Sequence, residues 1–305
     1  MTTETKNRKT LADIALDDGV FAIIAMDQRN TLRRMFEAVD IEASEEDLRT
    51  AKADVARALT PAASAMLLDP TFGVPAVTEA QALAPGCGLL VAAEPSSRDS
   101  YHGEPRISRD PELDARWVSE QGGDALKFLV QLRADRPMPA SGEPDLVREV
   151  LEVCQQIVTD CTSAGLPSII ENLVYALPGE QLSGKAREDA IIAAAVALDE
   201  LDIDLLKLEY PGSADGCRHL ADVLHRPWAV LSAGVPFGQF SEVLKIAFDE
   251  GGASGFIAGR SIWREALPLN GMERQRFLDS VARPRMDDLV TVANERARPW
   301  TDATR

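Results

Sequence analysis

Short apolar runs alternate with segments of helical periodicity along most of the chain. Each run has the length of a β-strand, and the segments between them repeat apolar residues at helical spacing. The eight runs are Phe21–Met26, Ser64–Leu68, Gly88–Ala93, Ala125–Leu132, Ser168–Leu173, Asp204–Leu208, Trp228–Ser232 and Gly255–Ala258. The clearest helical segments are Asp47–Leu59, Leu146–Ala164, Arg187–Leu201 and Phe240–Glu250. Eight strand–helix units predict an α/β protein with a single (β/α)8 TIM barrel; a doubly wound parallel sheet is the alternative.

The residues outside these units favour one domain over two. The chain has 305 residues and no low-complexity linker, so we predict one barrel over residues 1–305 with polar termini at about 1–10 and 297–305. The first ten residues lack the apolar core of a signal peptide. We expect Pro95–Pro111 to be a long loop, Pro137–Pro144 to be a second insertion, and the segment from Leu267 onward to supply closing helices.

Composition narrows the possible partners. Hydrophobic residues make up 45% of the chain and charged residues 27%, which is ordinary for a soluble globular protein, and no apolar run is long enough to cross a membrane. The net charge of −17 argues against a nucleic acid partner. It permits a phosphorylated substrate, provided that arginines, lysines and backbone N–H groups form a local positive site.

The cysteines and histidines predict no metal site and no cofactor. The cysteines lie far apart or at spacings that do not suit a metal, so we expect reduced thiols in a cytoplasmic protein. The histidines are too few and too scattered to form a metal site. These residues are Cys87, Cys154, Cys161, Cys217, His102, His219 and His225.

Two lysines interrupt apolar strands. Lys207 shares a strand face with Leu205, while Leu206 and Leu208 face the other way. A buried ammonium is costly unless it is paired, neutralised or functional, and desolvation is one way to make a lysine nucleophilic enough to form a Schiff base. Lys127 lies in another such strand, and a neighbouring ammonium also lowers the pKa of a nucleophilic lysine. A structural ion pair remains the alternative for each lysine.

Two carboxylates also fall in or beside apolar strands. Glu171 lies among aliphatic residues, where burial is expected to raise its pKa towards the range of a general acid or base. Its alternative role is an ion pair with Lys127 or Lys207. Asp27 continues the face of Ile23 and is expected to point into the barrel, with a structural or helix-capping carboxylate as the alternative. Asp69 and Glu94 receive no assigned role.

The ends of the last two predicted strands favour an anion site. Ser232-Ala233-Gly234 follows the seventh run, and Gly259-Arg260 follows the eighth. Small residues let backbone N–H groups approach an anion, and Arg260 adds a fork of donors. Because phosphate sites often follow strands seven and eight of a TIM barrel, we predict phosphate binding here. Close packing of loop against helix is the alternative.

These motifs together resemble a known family. The chain resembles the class I aldolases of the tagatose 1,6-bisphosphate aldolase group, and within it the sulfofructosephosphate aldolases. The similarity covers about Phe21 to Leu267 and rests on the ordered set rather than on a single motif. Its motifs are Ala25-Met26-Asp27-Gln28-Arg29 with Met35-Phe36, Ile170-Glu171, Lys207-Leu208-Glu209, Ser232-Ala233-Gly234 and Gly252 to Arg260.

The resemblance implies a reversible retro-aldol cleavage that releases dihydroxyacetone phosphate. Lys207 would form the Schiff base, Glu171 would be the acid/base, and Lys127 and Asp27 would be supporting charges. The phosphate would be bound by Ser232, Ala233, Gly234, Gly259 and Arg260, and Gln28 and Arg29 would lie near the other end of the substrate. The first expected substrate is 6-deoxy-6-sulfofructose 1-phosphate, which would yield sulfolactaldehyde. The alternative is tagatose 1,6-bisphosphate or fructose bisphosphate, which would yield glyceraldehyde 3-phosphate.

Several readings remain open on the sequence alone. The segment Asn172–Leu177 resembles the tagatose group more than the sulfo-sugar group, and the loop 96–109 is expected to border the distal end of the substrate. Another Schiff-base barrel enzyme, a metal-dependent aldolase and a non-catalytic phosphosugar-binding regulator are the rivals. The absence of clustered histidines favours the imine route over the metal route. Barrels of this type commonly associate, and Trp300 is a candidate contact for a neighbouring subunit.

Overall fold

The predicted runs form the eight strands of a closed parallel barrel in a computed structural model that describes residues 8–303. Strands β1 to β8 are Phe21–Met26, Ala65–Leu68, Gly88–Ala92, Ala125–Val130, Ser168–Asn172, Leu205–Leu208, Trp228–Leu231 and Gly255–Ala258. Around the ring the strands follow the order β1-β8-β7-β6-β5-β4-β3-β2, and the register Phe21↔Gly255 closes β1 onto β8. The predicted TIM barrel is confirmed, and closure excludes the doubly wound sheet.

Helices follow the strands and cover the outside of the barrel. The predicted segment Leu146–Ala164 matches a helix at both ends, while the other predicted helices begin two or three residues earlier than expected. Helices α1 to α11 are Asn30–Glu37, Glu45–Leu59, Gly73–Glu79, Ala115–Glu120, Leu146–Ala164, Gly184–Asp199, Ala214–Val223, Phe237–Asp249, Arg260–Trp263, Gly271–Phe277 and Arg283–Arg296. Residues 1–7 and 304–305 of the predicted polar termini lie outside the described residues.

The alternation of side chains along each strand creates two apolar layers. Leu206 and Leu208 belong to the layer between barrel and helices, whereas Leu205 belongs to the barrel interior. Ala125 and Ile169 occupy the same interior layer on neighbouring strands. Because side chains alternate, residues two positions further along these strands also point inward, above the apolar filling. In β4, β5 and β6 those positions are charged, so the upper layer of the barrel becomes a polar site.

The segment Pro95–Pro111 is not a plain loop, contrary to the expectation. It contains an antiparallel hairpin of strands Asp99–Tyr101 and Glu104–Arg106. His102 and Gly103 form its tight turn with φ of 49° and 86°, in the left-handed region that two-residue hairpin turns need. The three-residue strands are too short to give a readable alternation, which is why the pattern did not reveal them.

The C-terminal segment packs against its own barrel. The backbone N–H of Trp300 donates to the carbonyl of Gly19 at 3.0 Å, and the side chain packs against the apolar core at the lower end of the barrel. A contact of Trp300 with a neighbouring subunit stays a prediction. Among residues 8–303, no helix is both long and apolar enough to span a membrane.

Candidate active site

Lys127 lies at the centre of three carboxylates at the upper end of the barrel. Its ammonium nitrogen is 2.9 Å from Asp27, 2.7 Å from Glu94 and 2.8 Å from Glu171. The side chain is fully buried. Burial alone would lower the pKa of Lys127, but the negative charges of Asp27, Glu171 and Glu94 hold that pKa well above its usual range. Lys127 is therefore a fixed cation rather than a free amine.

Glu171 joins the two strand lysines. The same Oε2 atom that contacts Lys127 lies 2.9 Å from the Nζ atom of Lys207, in agreement with the registers Leu129↔Glu171 and Glu171↔Lys207. Burial pushes the pKa of Glu171 up, yet the nearby charges of Lys127 and Lys207 hold it below its usual range. The expectation that burial would raise this pKa is wrong, because two cations outweigh desolvation. Glu171 is thus a carboxylate placed to accept a proton.

Asp27, at the end of strand β1, joins Lys127, Glu171 and Lys207 in one charged layer at the upper end of the barrel. Burial would raise its pKa, but Lys127 and Lys207 hold the pKa far below its usual range. Gln28 donates from Nε2 to Asp27 at 3.1 Å, and its buried Oε1 atom has no partner within the described residues. Arg29 donates to the backbone carbonyl of Glu94 at 2.7 Å. The structure therefore brings the four charged catalytic candidates and the two expected distal residues to one end of the barrel.

The charged layer opens into a cavity of about 400 Å³. Its floor carries Asp27, Lys127, Glu171 and Lys207, and Arg260 lies on its wall. Lys207 is only 4% exposed, so its amine is shielded from bulk water while still facing the cavity. A ligand in this cavity would meet a buried amine with a carboxylate already in hydrogen-bonding distance.

Glu94, which the sequence left undecided, joins the charged side chains around Lys127. Its Oε1 atom accepts from Lys127, and its Oε2 atom accepts from the backbone N–H of Leu129 at 3.2 Å. The register Ala92↔Lys127 between β3 and β4 explains this contact, because Glu94 follows the end of the strand beside Lys127. The sequence did contain a signal for this contact, because Glu94 lies just beyond a strand and the neighbouring strand carries a buried lysine.

Lys52 and Asp69 form a second buried ion pair beneath the site. Their side chains are fully buried and 2.7 Å apart, and burial lowers the pKa of Lys52. Lys52 also donates to the backbone carbonyls of Met26 at 2.5 Å and Gln28 at 2.9 Å, which fixes the chain on both sides of Asp27. The sequence reasoning missed Lys52, although it lies three and four residues from Val55 and Leu48 on the buried face of α2.

The loops after β7 and β8 form a positive corner. Ala233 and Gly234 adopt φ of 48° and 76°, and Arg260 donates to the carbonyl of Ala233 at 3.4 Å. Arg264, which the sequence reasoning missed, donates to the carbonyl of Gly234. Burial and the neighbouring charge of Arg264 lower the pKa of Arg260. Two adjacent guanidinium groups without a carboxylate within ion-pair distance, over residues 8–303, would be stabilised by an anion.

Ser232 and Gly259 border this corner in different ways. Ser232 is buried at the end of β7. A Cβ atom on Gly259 would lie 2.2 Å from the carbonyl oxygen of Ala25, so glycine is needed there for close contact between β8 and β1. The close-packing alternative therefore applies to Gly259, whereas the arginine pair is not explained by packing.

Comparison with known proteins identifies the family. Residues 21–265 match the family described as DeoC/LacD family aldolase. The chain belongs to this aldolase family. Family membership confirms the enzyme class expected from the sequence, a carbon–carbon lyase of the aldolase type, and the resemblance to the tagatose 1,6-bisphosphate aldolase group.

Relatives agree with this result, and solved structures agree with the barrel fold. The aldolase is 30% identical to the tagatose 1,6-diphosphate aldolase of Lactococcus lactis subsp. lactis, over 98% of both chains. Its fold matches the fructose-bisphosphate aldolase of Slackia heliotrinireducens with a TM-score of 0.61 and 17% identity, over 93% of each chain. An archaeal fructose 1,6-bisphosphate aldolase gives a TM-score of 0.60 and 17% identity, over 91% of this chain and 96% of the other.

Proposed function

We propose that this aldolase cleaves a ketose 1-phosphate through a Schiff base on Lys207. The observation that carries the proposal is the Glu171 carboxylate oxygen shared by Lys207 and Lys127 at the floor of the cavity. A lysine next to a base can lose its proton when a carbonyl arrives and then attack that carbonyl as a neutral amine. Lys127 keeps its proton throughout, because three carboxylates surround it.

The residues at the site can supply or accept the protons that each step of the reaction needs. Glu171 takes a proton from the Lys207 ammonium, the amine adds to C2 of the ketose, and loss of water leaves a protonated imine. The same carboxylate, free again after giving its proton to the departing hydroxyl, then takes the proton of the C4 hydroxyl. The C3–C4 bond breaks and its electron pair moves into the imine to form an enamine, while the aldehyde leaves. Protonation of C3 and hydrolysis release dihydroxyacetone phosphate.

The C1 phosphate fits the positive corner after β7 and β8. Arg260 and Arg264 supply guanidinium donors, and the missing side chain of Gly234 lets both guanidinium groups come close to the turn after β7. Binding the phosphate there would hold the ketose carbonyl near Lys207, because Arg260 lies on the wall of the cavity whose floor carries that lysine.

The favoured substrate is tagatose 1,6-bisphosphate. The curated relatives with 28–30% identity are named tagatose 1,6-diphosphate aldolases, and the segment Asn172–Leu177 also resembles that group. The sulfonated ketose, first in expectation from the sequence, becomes the second candidate, because these relatives' names favour the bisphosphate. The buried free thiols of the four cysteines support a cytoplasmic reaction.

Substrate comparison tests the proposal directly. We expect dihydroxyacetone phosphate to be released from tagatose 1,6-bisphosphate with a kcat/KM about 10-fold or more above that for the 6-sulfonated ketose 1-phosphate. Fructose 1,6-bisphosphate tests the stereochemistry at C4. A higher kcat/KM for the sulfonated ketose would make 6-deoxy-6-sulfofructose 1-phosphate the favoured substrate, as first expected from the sequence. No release from any of the three, together with no borohydride-trapped adduct, would leave a phosphosugar-binding protein in place of an enzyme.

Gly234 offers a test of the phosphate corner. A Cβ atom at this position would lie 2.8 Å from a terminal nitrogen of Arg264 and 3.1 Å from the guanidinium carbon of Arg260, in a backbone with φ of 76°. We expect Gly234→Ala to raise the concentration of dihydroxyacetone phosphate needed for half-maximal trapping about 10-fold, because both arginines must move.

Gly238→Ala is the matched control for this substitution. Gly238 lies in α8, without a positive φ and with open space where the Cβ atom would stand. It tests a glycine-to-alanine change in the same region without a clash. Equal trapping curves for the two variants would contradict the assignment of the phosphate to this corner.

A further inference from the structure

One more carboxylate lies on the inward face of β6, beyond Lys207. Glu209 follows Lys207 by two residues, so alternation keeps it on the face that points into the barrel. Its side chain is buried. Burial raises the pKa of Glu209, and the negative charge of Glu171 raises it further. A buried carboxylate beside a second carboxylate is costly, and the Schiff-base mechanism gives it no role.

Both carboxylate oxygens of Glu209 have partners. Oε2 accepts from the backbone N–H of Val174 at 2.8 Å, and Oε1 accepts from Nη2 of Arg187 at 2.5 Å. Val174 lies just past the end of β5, and Arg187 lies near the start of α6. Glu209 therefore joins three elements, which are the strand that carries Lys207, the loop after the strand that carries Glu171, and the helix that follows this loop.

The hydrogen bond to Val174 extends the ladder between β5 and β6. The last backbone pair of this ladder is Glu171↔Lys207, and beyond it a side chain provides the acceptor that the backbone no longer offers. On the other side of β5, the N–H of Leu173 donates to the carbonyl of Val130 at 3.1 Å. Leu173 is thus held from β4 through its own N–H and from β6 through the N–H of the next residue.

Leu173 lies next to the reacting groups. It follows Glu171 by two residues on the inward face of β5, and it lines the same cavity as Glu171 and Lys207. Leu129 of β4, which pairs with Glu171 in register, also lines this cavity. Two leucines beside a carboxylate and an ammonium exclude water, and a drier surrounding strengthens the attraction between these charges. The place of Leu173 therefore bears on proton transfer between Glu171 and Lys207.

We propose that Glu209 is a positioning residue, which holds the backbone N–H of Val174 and thereby keeps Leu173 beside the reacting carboxylate and amine. This inference rests on the proposed function and deepens the account of the same site. Glu209 acts through Leu173 and not on the substrate. The phosphate corner after β7 and β8 is built without Glu209. Loss of Glu209 therefore lowers kcat and leaves KM nearly unchanged.

Two substitutions at Glu209 separate its hydrogen bond from its charge. Glu209→Met removes the acceptor for Val174, and we expect kcat to fall about 10-fold with KM within about 2-fold, for the ketose phosphate that the unmodified enzyme cleaves fastest. Glu209→Gln keeps a side-chain oxygen that can accept from Val174, so it should recover most of the lost kcat. An equal fall in kcat for the two variants would contradict the role of this hydrogen bond.

Amide exchange measures the positioning without any chemistry. Glu209→Met should speed the hydrogen–deuterium exchange of the Val174 N–H about 10-fold or more, because this N–H then has no acceptor. Mass spectrometry of peptides that cover residues 170–178 measures the exchange in the absence of substrate. Unchanged exchange would overturn the proposal.

A double-mutant cycle tests whether Glu209 acts through Leu173. Leu173→Ala removes the side chain and should also lower kcat about 10-fold. If Glu209 acts through this leucine, the double variant loses about 10-fold in total, whereas independent effects would multiply to about 100-fold and contradict the coupling. Leu173 is half-buried, so Leu173→Ala keeps the proposal testable even if Glu209→Met does not fold. Full kcat in Leu173→Ala would overturn the proposal.

Asp199→Asn is the matched control for the loss of a buried carboxylate. Asp199 accepts from the backbone N–H groups of His225 and Arg226, at the lower end of the barrel before β7. Its substitution should lower the unfolding temperature and leave kcat within about 2-fold. A fall in kcat as large as that in Glu209→Met would assign the loss to general destabilisation and overturn the positioning role.

The possible results separate this inference from the proposed function. Faster exchange at Val174 and a lowered kcat in Glu209→Met, together with a borohydride adduct on a lysine other than Lys207, would refute the proposed nucleophile and leave the positioning role. An adduct on Lys207 together with unchanged exchange and unchanged kcat in Glu209→Met would refute the positioning role and leave the nucleophile.

Discussion

Lys207→Met is expected to lower kcat about 10⁴-fold or more and to abolish trapping by borohydride with dihydroxyacetone phosphate. Methionine keeps much of the length of lysine but has no amine, so no imine can form. Glu171 would still hold Lys127 at 2.8 Å, which means that the substitution does not leave that carboxylate unpaired. The variant should therefore fold, and circular dichroism and thermal unfolding can verify this before activity is measured.

Peptide mapping of the reduced adduct identifies the nucleophile. The unmodified protein should carry the adduct on Lys207 alone, because Lys127 is enclosed by three carboxylates that keep it protonated. Lys245→Met, at an exposed lysine paired with Glu242, is the matched control and should retain full turnover. Turnover of Lys207→Met within 10-fold of the control would contradict the assigned role. An adduct on Lys127 would keep the enzyme class and reverse the roles of the two lysines.

The sequence contains most of the information about the floor of the site. Alternation along a strand decides which side chains point inward, so Lys127, Glu171 and Lys207 could be assigned to the barrel interior without coordinates. Adjacent strands in the predicted order then bring these residues together. Asp27 follows from the same argument, because it continues the inward face of β1 past the strand end.

Other contacts could not be read from the chain because they depend on loops or on net electrostatics. Glu94 lies beyond β3, where alternation no longer fixes the direction of a side chain. Arg264 is placed by a short helix, which gives no periodic signal. The sign of the pKa shift of Glu171 depends on two cations within 3 Å, which only the folded geometry supplies. Lys52 is different, since its place on the buried face of α2 was readable.

Lys127→Met is expected to destabilise the fold more than any other single change in the site. Its ammonium balances Asp27, Glu94 and Glu171, and removing the common partner of buried carboxylates typically costs about 3–5 kcal/mol. Urea denaturation at pH 7.5 measures the free energy of unfolding. Lys207→Met is the matched comparison and should lose less, because Lys207 contacts one of these carboxylates rather than three.

The pH dependence of this loss gives a sharper test. In the folded protein the pKa values of Asp27 and Glu171 are lowered, so their contribution to stability is present above their unfolded values near about 4 and is lost as the pH falls through the folded values. Without Lys127, burial would raise both pKa values and the carboxylates would take up protons at higher pH. The destabilisation caused by Lys127→Met should therefore be smaller at pH 5 than at pH 7.5.

At alkaline pH the stability of the unmodified protein changes with pH in the opposite direction: it falls as the pH rises. The raised pKa of Lys127 stabilises the fold fully below its unfolded value near about 10.4, and this stabilisation is lost as the pH rises through the folded value. Methionine cannot lose a proton, so the difference between the two proteins should narrow above that unfolded value as well. A loss of stability that is equal at pH 5 and pH 7.5 would mean that Asp27 and Glu171 do not depend on Lys127 for their charge.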